Sequence, residues 1–107
     1  MTFDVEKYVV NEHASLRSAL LKVDNNHCGM IFMQAVDGKI IGLATDGDLR
    51  RALLQGASLE DCISDSANRE FVSASIDTPR EQLIKQLDGH IRFIPILDQL
   101  GRLRSII

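Results

Sequence analysis

The sequence predicts an α/β fold built from two copies of one β-α-β-β-α unit, related by a pseudo-twofold axis and packed as one compact sandwich. Three observations predict it. Shifted against itself by 63 residues, the chain aligns without a gap, so that Val9 meets Val72, Arg17 meets Arg80, Leu20 meets Leu83, Ile31 meets Ile94 and Gly38 meets Gly101. Each copy alternates short apolar runs with segments of helical periodicity, the order of an α/β fold. A turn glycine falls at the same place in both. Self-similarity of this kind is read before any single element, because it decides the architecture.

In the first copy, Tyr8-Val9-Val10 is the opening strand. Ser15 is placed to cap a helix whose buried face is Leu16, Ala19, Leu20 and Val23, at i, i+3, i+4 and i+7. Asn25-Asn26 favours its end, since asparagine tolerates left-handed backbone. Met30-Ile31-Phe32-Met33 is a continuous apolar run that suits a strand covered on both faces. Asp37-Gly38 is a hairpin turn leading into Lys39-Ile40-Ile41-Gly42-Leu43-Ala44. A helix over about residues 46–55 follows, with Leu49, Ala52 and Leu53 inward and Gly56 just past its end.

The polar stretch Ser64–Glu70 reads as a linker, dividing the chain into units 1–63 and 64–107. Phe71-Val72-Ser73 is then the second opening strand. Thr78-Pro79-Arg80-Glu81 spells a capping box with proline at the first helical position. Leu83, Ile84 and Leu87 form the buried face, and Gly89 ends the helix. Arg92–Leu97 is the next strand, and Pro95, which has no N–H, predicts an edge or a bulge there. The copy of Thr45 would fall one residue past Ile107. The second unit is therefore expected to lack its last helix, and the chain to be an N-terminal part of a longer protein.

Composition excludes several classes. Of 107 residues, 45% are hydrophobic and 25% charged, as in a soluble globular domain. Lys and Arg total 12 against 15 Asp and Glu, a net charge of −3 that disfavours a nucleic-acid coat or a membrane-surface patch. No apolar run reaches the roughly 18 residues of a membrane span, and the start lacks a signal peptide's basic and apolar regions. The two cysteines, Cys28 and Cys62, have no metal spacing and read as reduced thiols of a cytoplasmic protein. His27 and His90 occupy equivalent repeat positions, but polar covering of helix ends explains them better than a metal. No metal ligands and no catalytic residues are assigned; Asp46 and Asp48 lack the rest of an acid–base site, so the chain is not read as an enzyme.

The segment that carries chemistry is Gly42-Leu43-Ala44-Thr45-Asp46-Gly47-Asp48-Leu49-Arg50-Arg51. A strand ends where a helix starts, and the free amides and dipole of a helix start receive phosphate. Thr45 adds a hydroxyl. Asp48 is an acceptor only and suits two adjacent hydroxyls, such as those of a ribose. Arg50 and Arg51 lie about one turn on; either could approach a phosphate, and geometry decides which. Met30, Ile31, Phe93 and Ile94 lie on matching strands and supply apolar walls for a flat base. Alone, Thr45 and Asp48 are equally a helix cap and a dipole partner; the duplication around them favours a nucleotide-sized pocket.

With these residues in view, the whole chain resembles a tandem pair of CBS (cystathionine β-synthase) domains. The resemblance is carried by Val36-Asp37-Gly38-Lys39-Ile40-Ile41-Gly42, by Thr45-Asp46-Gly47-Asp48-Leu49-Arg50-Arg51, and by His90-Ile91-Arg92-Phe93-Ile94-Pro95-Ile96-Leu97-Asp98. It implies a regulatory module binding an adenosine nucleotide (AMP, ADP or ATP) or S-adenosylmethionine between the copies, with no cofactor required. It places Thr45 on phosphate and Asp48 on the ribose, with Gly29, Met30, Arg92, Phe93 and Pro95 lining the base pocket. A homodimer is also implied. Residues 45–61 resemble CBS pairs at the N-terminus of bacterial sugar-phosphate nucleotidyltransferases; a similar segment occurs in CBS pairs behind sugar-phosphate isomerase domains. A downstream nucleotidyltransferase in the same chain is the expectation. The alternative is a structural dimerisation module with a vestigial pocket. Ala67-Asn68 and Arg104-Ser105 depart from the family pattern, which weakens the case for a second site.

Overall fold

The computed structural model describes residues 3–87 and 93–107. The first copy comprises β1 (Val9–Asn11), α1 (Leu16–Asn26), β2 (Met30–Gln34), β3 (Ile40–Thr45) and α2 (Asp46–Leu54). The second comprises β4 (Ala74–Ser75), α3 (Arg80–Gln86), β5 (Pro95–Leu97) and β6 (Leu103–Ile106). Among the described residues these form two three-stranded sheets, ordered β1-β2-β3 and β4-β5-β6, each with one parallel and one antiparallel pairing.

The repeat is reproduced down to its irregularities. Phe32 faces Leu43 and Met33 faces Gly42 across the first hairpin; Pro95 faces Ile106 and Ile96 faces Ser105 across the second. Both ladders slip at the same place, between Met33 and Gln34 and between Ile96 and Leu97. Gly38 and Gly101 close the turns at φ 89° and 79°, a region side chains disfavour. The repeats meet where Lys39 and Arg102, equivalent residues, form an antiparallel bridge, and the Ile40 N–H donates to the Gly101 carbonyl at 2.8 Å. This bridge fixes the local axis relating the two hairpins.

Among the described residues, three apolar clusters hold the layers together. Alternate residues of β2 face opposite ways, as strand geometry requires. Ile31 and Met33 pack with Leu16, Ala19 and Val23 of α1 and Leu49 of α2, while Met30 and Phe32 join Val9, Ile40 and Leu103. The second cluster draws on both sheets. Leu83 of α3 packs with Ile94 and Ile96.

The first copy follows its sequence closely. Ser15 caps α1 through a bond from the Ser18 N–H, and Gly56 takes positive φ beyond α2. One detail differs. α1 runs through Asn26, and His27 takes the left-handed conformation at φ 57°. The Asn26 side chain instead ties the turn, donating to the Lys7 and Met30 carbonyls and accepting from the Cys28 N–H.

The second copy departs more. Its opening strand is not Phe71–Ser73 but Ala74–Ser75, paired one residue out of the register that the first copy sets (Ala74 with Ile96, where the repeat requires Ser73). Phe71 and Val72 are drawn into two different apolar clusters, which leaves their backbone outside the ladder. The capping box does not form: α3 starts at Arg80, and the Thr78 hydroxyl pairs with that of Ser75 at 3.2 Å. Pro95 lies in the central strand, without a bulge at its own position. It is tolerated because it is the first residue of β5, ahead of the stretch that pairs with β4. Toward β6 its neighbours Ile94 and Ile107 exchange both backbone bonds, so the alternating ladder asks for no N–H from Pro95. Gly89 as a helix end and the start of the strand at Arg92 lie outside the described residues.

The polar stretch 64–70 is a backbone partner rather than a loose connection. Asn68 and Leu43 exchange backbone hydrogen bonds at 2.9 and 2.7 Å, which extends the first sheet beside β3. Gly42 permits this approach: a Cβ there would stand 3.0 Å from the Met33 methyl and 3.2 Å from Ala67 Cβ.

Candidate functional site

The site is assembled where β3 turns directly into α2. Thr45 is the last residue of the strand and the cap of the helix, at φ −91° and ψ 164°. Its Oγ1 accepts the Asp48 N–H at 3.1 Å, and Asp48 Oδ2 accepts the Thr45 N–H at 2.9 Å. This is a capping box with aspartate in the third position, so two otherwise unpaired amides are satisfied. The other carboxylate oxygen, Oδ1, accepts from Arg51 Nη2 at 2.5 Å. Asp48 is half-buried and Arg51 exposed.

The two arginines separate. Arg50 Nη2 pairs with Asp46 Oδ2 at 2.7 Å, one helical turn back, while Arg51 pairs with Asp48. Successive helical residues point about 100° apart, so only Arg51 shares a face with Thr45 and Asp48. The Asp46 N–H donates to the Gly29 carbonyl at 2.8 Å, and Met30 stands opposite Thr45 in the ladder. Gly29, Met30, Thr45, Asp48, Arg50 and Arg51, all predicted from sequence, thus gather at one end of β2 and β3. Phe93 packs against the apolar cluster that contains Met30. Pro95 is buried. Arg92 lies outside the described residues. Met30, Ile31 and Ile94 are all fully buried; Ile31 packs with α1 and α2 and Ile94 with α3, in clusters other than that of Met30.

Sequence reasoning missed a cleft of about 400 Å3 between the end of α1 and the start of α2. It is lined by Leu20, Val23, Asp24, His27, Gly29, Asp46 and Arg50. Positions 20, 23, 24 and 27 have the i, i+3, i+4, i+7 spacing, so the stripe was readable. Leu20 and Val23 were assigned wholly to core. Among the described residues, no three His, Cys, Asp or Glu side chains gather to hold a metal, and no helix is long and apolar enough to cross a membrane.

Fold and site together define a tandem-repeat α/β module with a polar cluster at the start of α2. Residues 2–55, half of the chain, match the CBS domain, and the chain belongs to that family. Residues of the chain are 44% identical over 50 positions to arabinose 5-phosphate isomerase KdsD of Salmonella typhimurium, a match covering 47% of this chain and 15% of that protein. The chain therefore spans a small part of the curated relatives it matches. Among solved structures, it is similar to a CBS domain protein, PAE2072 from Pyrobaculum aerophilum, complexed with AMP. The TM-score is 0.81 at 19% identity, covering 96% of this chain and 84% of that one. It is also similar to the CBS domain pair of protein MJ0100 in complex with 5-methylthioadenosine and S-adenosyl-L-methionine. There the TM-score is 0.78 at 22% identity, over 94% of this chain and 79% of that one. These likenesses establish the fold as that of a CBS domain pair.

Proposed function

We propose that the chain is a regulatory module, not itself an enzyme, that binds an adenosine nucleotide between its two units, 1–63 and 64–107. The observation that carries this reading is the cluster of Thr45, Asp48 and Arg51 at one helix start. It lies beside Met30, whose apolar cluster Phe93 also packs against, in a fold shared with a solved structure complexed with AMP. Asp48 receives the ribose hydroxyls, Thr45 and Arg51 meet the phosphate, and Gly29, Met30, Arg92, Phe93 and Pro95 border the base. No cofactor is required. The protein works in the cytoplasm as a homodimer, and occupancy is transmitted because the nucleotide binds one arrangement of the units better than another.

The enzyme it serves acts on a sugar phosphate. The residue pattern at 45–61 favours a nucleotidyltransferase following in the same chain. The likeness to arabinose 5-phosphate isomerase supports an isomerase as the second reading.

Thermal melts with AMP, ADP and ATP test the proposal. A ligand at 100-fold its Kd stabilises by roughly 2.7 kcal/mol, a readily measured rise. An unmoved melt with all three, beside a concentration-dependent dimer, would leave the dimerisation module with a vestigial pocket as the function.

A further inference from the structure

Residues 3–7, ahead of β1, form an arm that belongs to the first copy by sequence and lies beside the second. The 3-10 turn Val5–Lys7 has no buried residue and is flanked by α1 on one side and β6 on the other. Phe3 stacks on Tyr8, at the root of the arm, with ring centres 5.2 Å apart, and both pack with Val5 against the cluster that draws on the two sheets. Side chains of α1 hold the arm in place. Lys22 Nζ donates to the Glu6 carbonyl, and to the Val9 carbonyl at 3.1 Å, while Asn26 Nδ2 donates to the Lys7 carbonyl at 3.0 Å. Between arm and helix lies a cavity of about 210 Å3 lined by Glu6, Lys7, Lys22, Asn25 and Asn26. The arm adds no residue to the cluster beneath α1 and α2, so it can detach without opening that core.

Asn26 joins this arm to the candidate site. The Nδ2 that holds Lys7 also donates to the Met30 carbonyl at 3.1 Å, and Oδ1 accepts the Cys28 N–H at 2.8 Å. These two bonds bracket Gly29, whose carbonyl accepts the N–H of Asp46, the first residue of α2, at 2.8 Å. We propose that residues 3–7 are a docking arm coupled through Asn26 to the start of α2, so that a nucleotide bound there tightens the arm against both units. Asn26 is a positioning residue in this scheme. A ligand that steadies the start of α2 steadies Gly29 and the two backbone groups on either side of it. The Asn26 amide is then fixed, and with it the Lys7 carbonyl. By linkage, a docked arm raises nucleotide affinity by the same factor. Moving parts of regulatory proteins are drawn from their weakly held segments, and the arm is one.

The inference rests on the nucleotide-binding reading above and names the element that responds. Its test is amide exchange followed by NMR, with calorimetric titration of AMP, on wild type, Lys22→Met, Asn26→Ala and the double variant. Lys22→Met releases the arm and leaves Gly29 and α2 untouched. Without ligand, Asn26→Ala speeds exchange of the Tyr8 and Asp46 amides together, each by roughly fivefold, the size of one net hydrogen bond. The Leu43 amide, bonded to Asn68, stays protected and reports an intact fold. AMP slows exchange at both Tyr8 and Asp46 in wild type, but at Asp46 alone in Asn26→Ala. Lys22→Met weakens AMP binding several-fold, and adding it to Asn26→Ala weakens binding no further. AMP bound with Tyr8 exchange unmoved, or losses that add in the double variant, overturns the coupling and leaves the nucleotide site standing. If Asn26→Ala loses protection at Leu43, Lys22→Met decides alone, and an unchanged AMP affinity there overturns the coupling. Failure of wild type to bind AMP overturns the nucleotide reading; an Asp46 amide unmoved by Asn26→Ala without ligand overturns the link from arm to helix.

Discussion

Replacing Asp48 by Ala tests whether the helix start is held as the structure describes, before any ligand is added. As a ribose acceptor alone, Asp48 would be dispensable to the unliganded fold. Its contacts predict otherwise. The substitution removes the acceptor of the Thr45 N–H, the partner of Arg51 and a negative charge in the first turn of α2. A net hydrogen bond contributes about 1 kcal/mol, while a largely exposed ion pair adds only about 0.2–1 kcal/mol. The favourable charge at the helix start overlaps with both and adds about 0.3 kcal/mol. The loss is then about 1.5 kcal/mol, which for a domain of this size lowers Tm by roughly 6–10 °C. Asp48→Asn retains an oxygen for the Thr45 N–H and should lose about half as much. Circular dichroism melts of both variants, at low and high salt, measure this. The ion-pair part alone shrinks with salt. A Tm for Asp48→Ala within about 2 °C of wild type would refute the capping box as a stabilising device, given the slope above.

Two further outcomes follow from the fold. Leu49→Ala opens a cavity beneath α2, where Leu49 is fully buried with Ile31, Ala44 and Ala19. Urea unfolding should show a loss of roughly 3 kcal/mol at unchanged slope, and a loss below about 1 kcal/mol would show that α2 is not docked as described. Asp98 is held below the usual carboxylate range, chiefly by the Arg102 N–H, then by the Leu100 N–H and the Arg102 guanidinium. Its stabilisation is present above the unfolded pKa and lost as pH falls through the folded one, because the unfolded chain takes the proton first. Asp98→Asn should therefore lower Tm near neutral pH and converge with wild type in acid; a gap independent of pH would contradict this.

The first copy was legible because its signals were local and agreed with one another. Ser15, Asp37-Gly38, Thr45 and Gly56 each specify backbone geometry by their own chemistry, and the apolar runs between them have unambiguous periods. The second copy was legible through the repeat, which foretold the hairpin register. It was misread where tertiary context decides. Whether Phe71–Ser73 or Ala74–Ser75 forms the strand depends on which clusters receive Phe71 and Val72, and nothing local reports that. The backbone pairing of Asn68 with Leu43 was hidden because linker composition describes side chains, whereas this contact is made by the main chain at Gly42. In the site, residue types name the candidates, and dividing Arg50 from Arg51 takes the helical spacing as well. That division is a matter of helical phase and of which carboxylate lies one turn back.

The central claim is tested most directly by a crystal structure of the chain grown with AMP. The account predicts the ribose hydroxyls on Asp48, the phosphate at Thr45 and Arg51, and the adenine against Met30 and Phe93. AMP lodged instead in the cleft of Leu20, His27 and Arg50, with the Arg51–Asp48 pair unbroken, would contradict it.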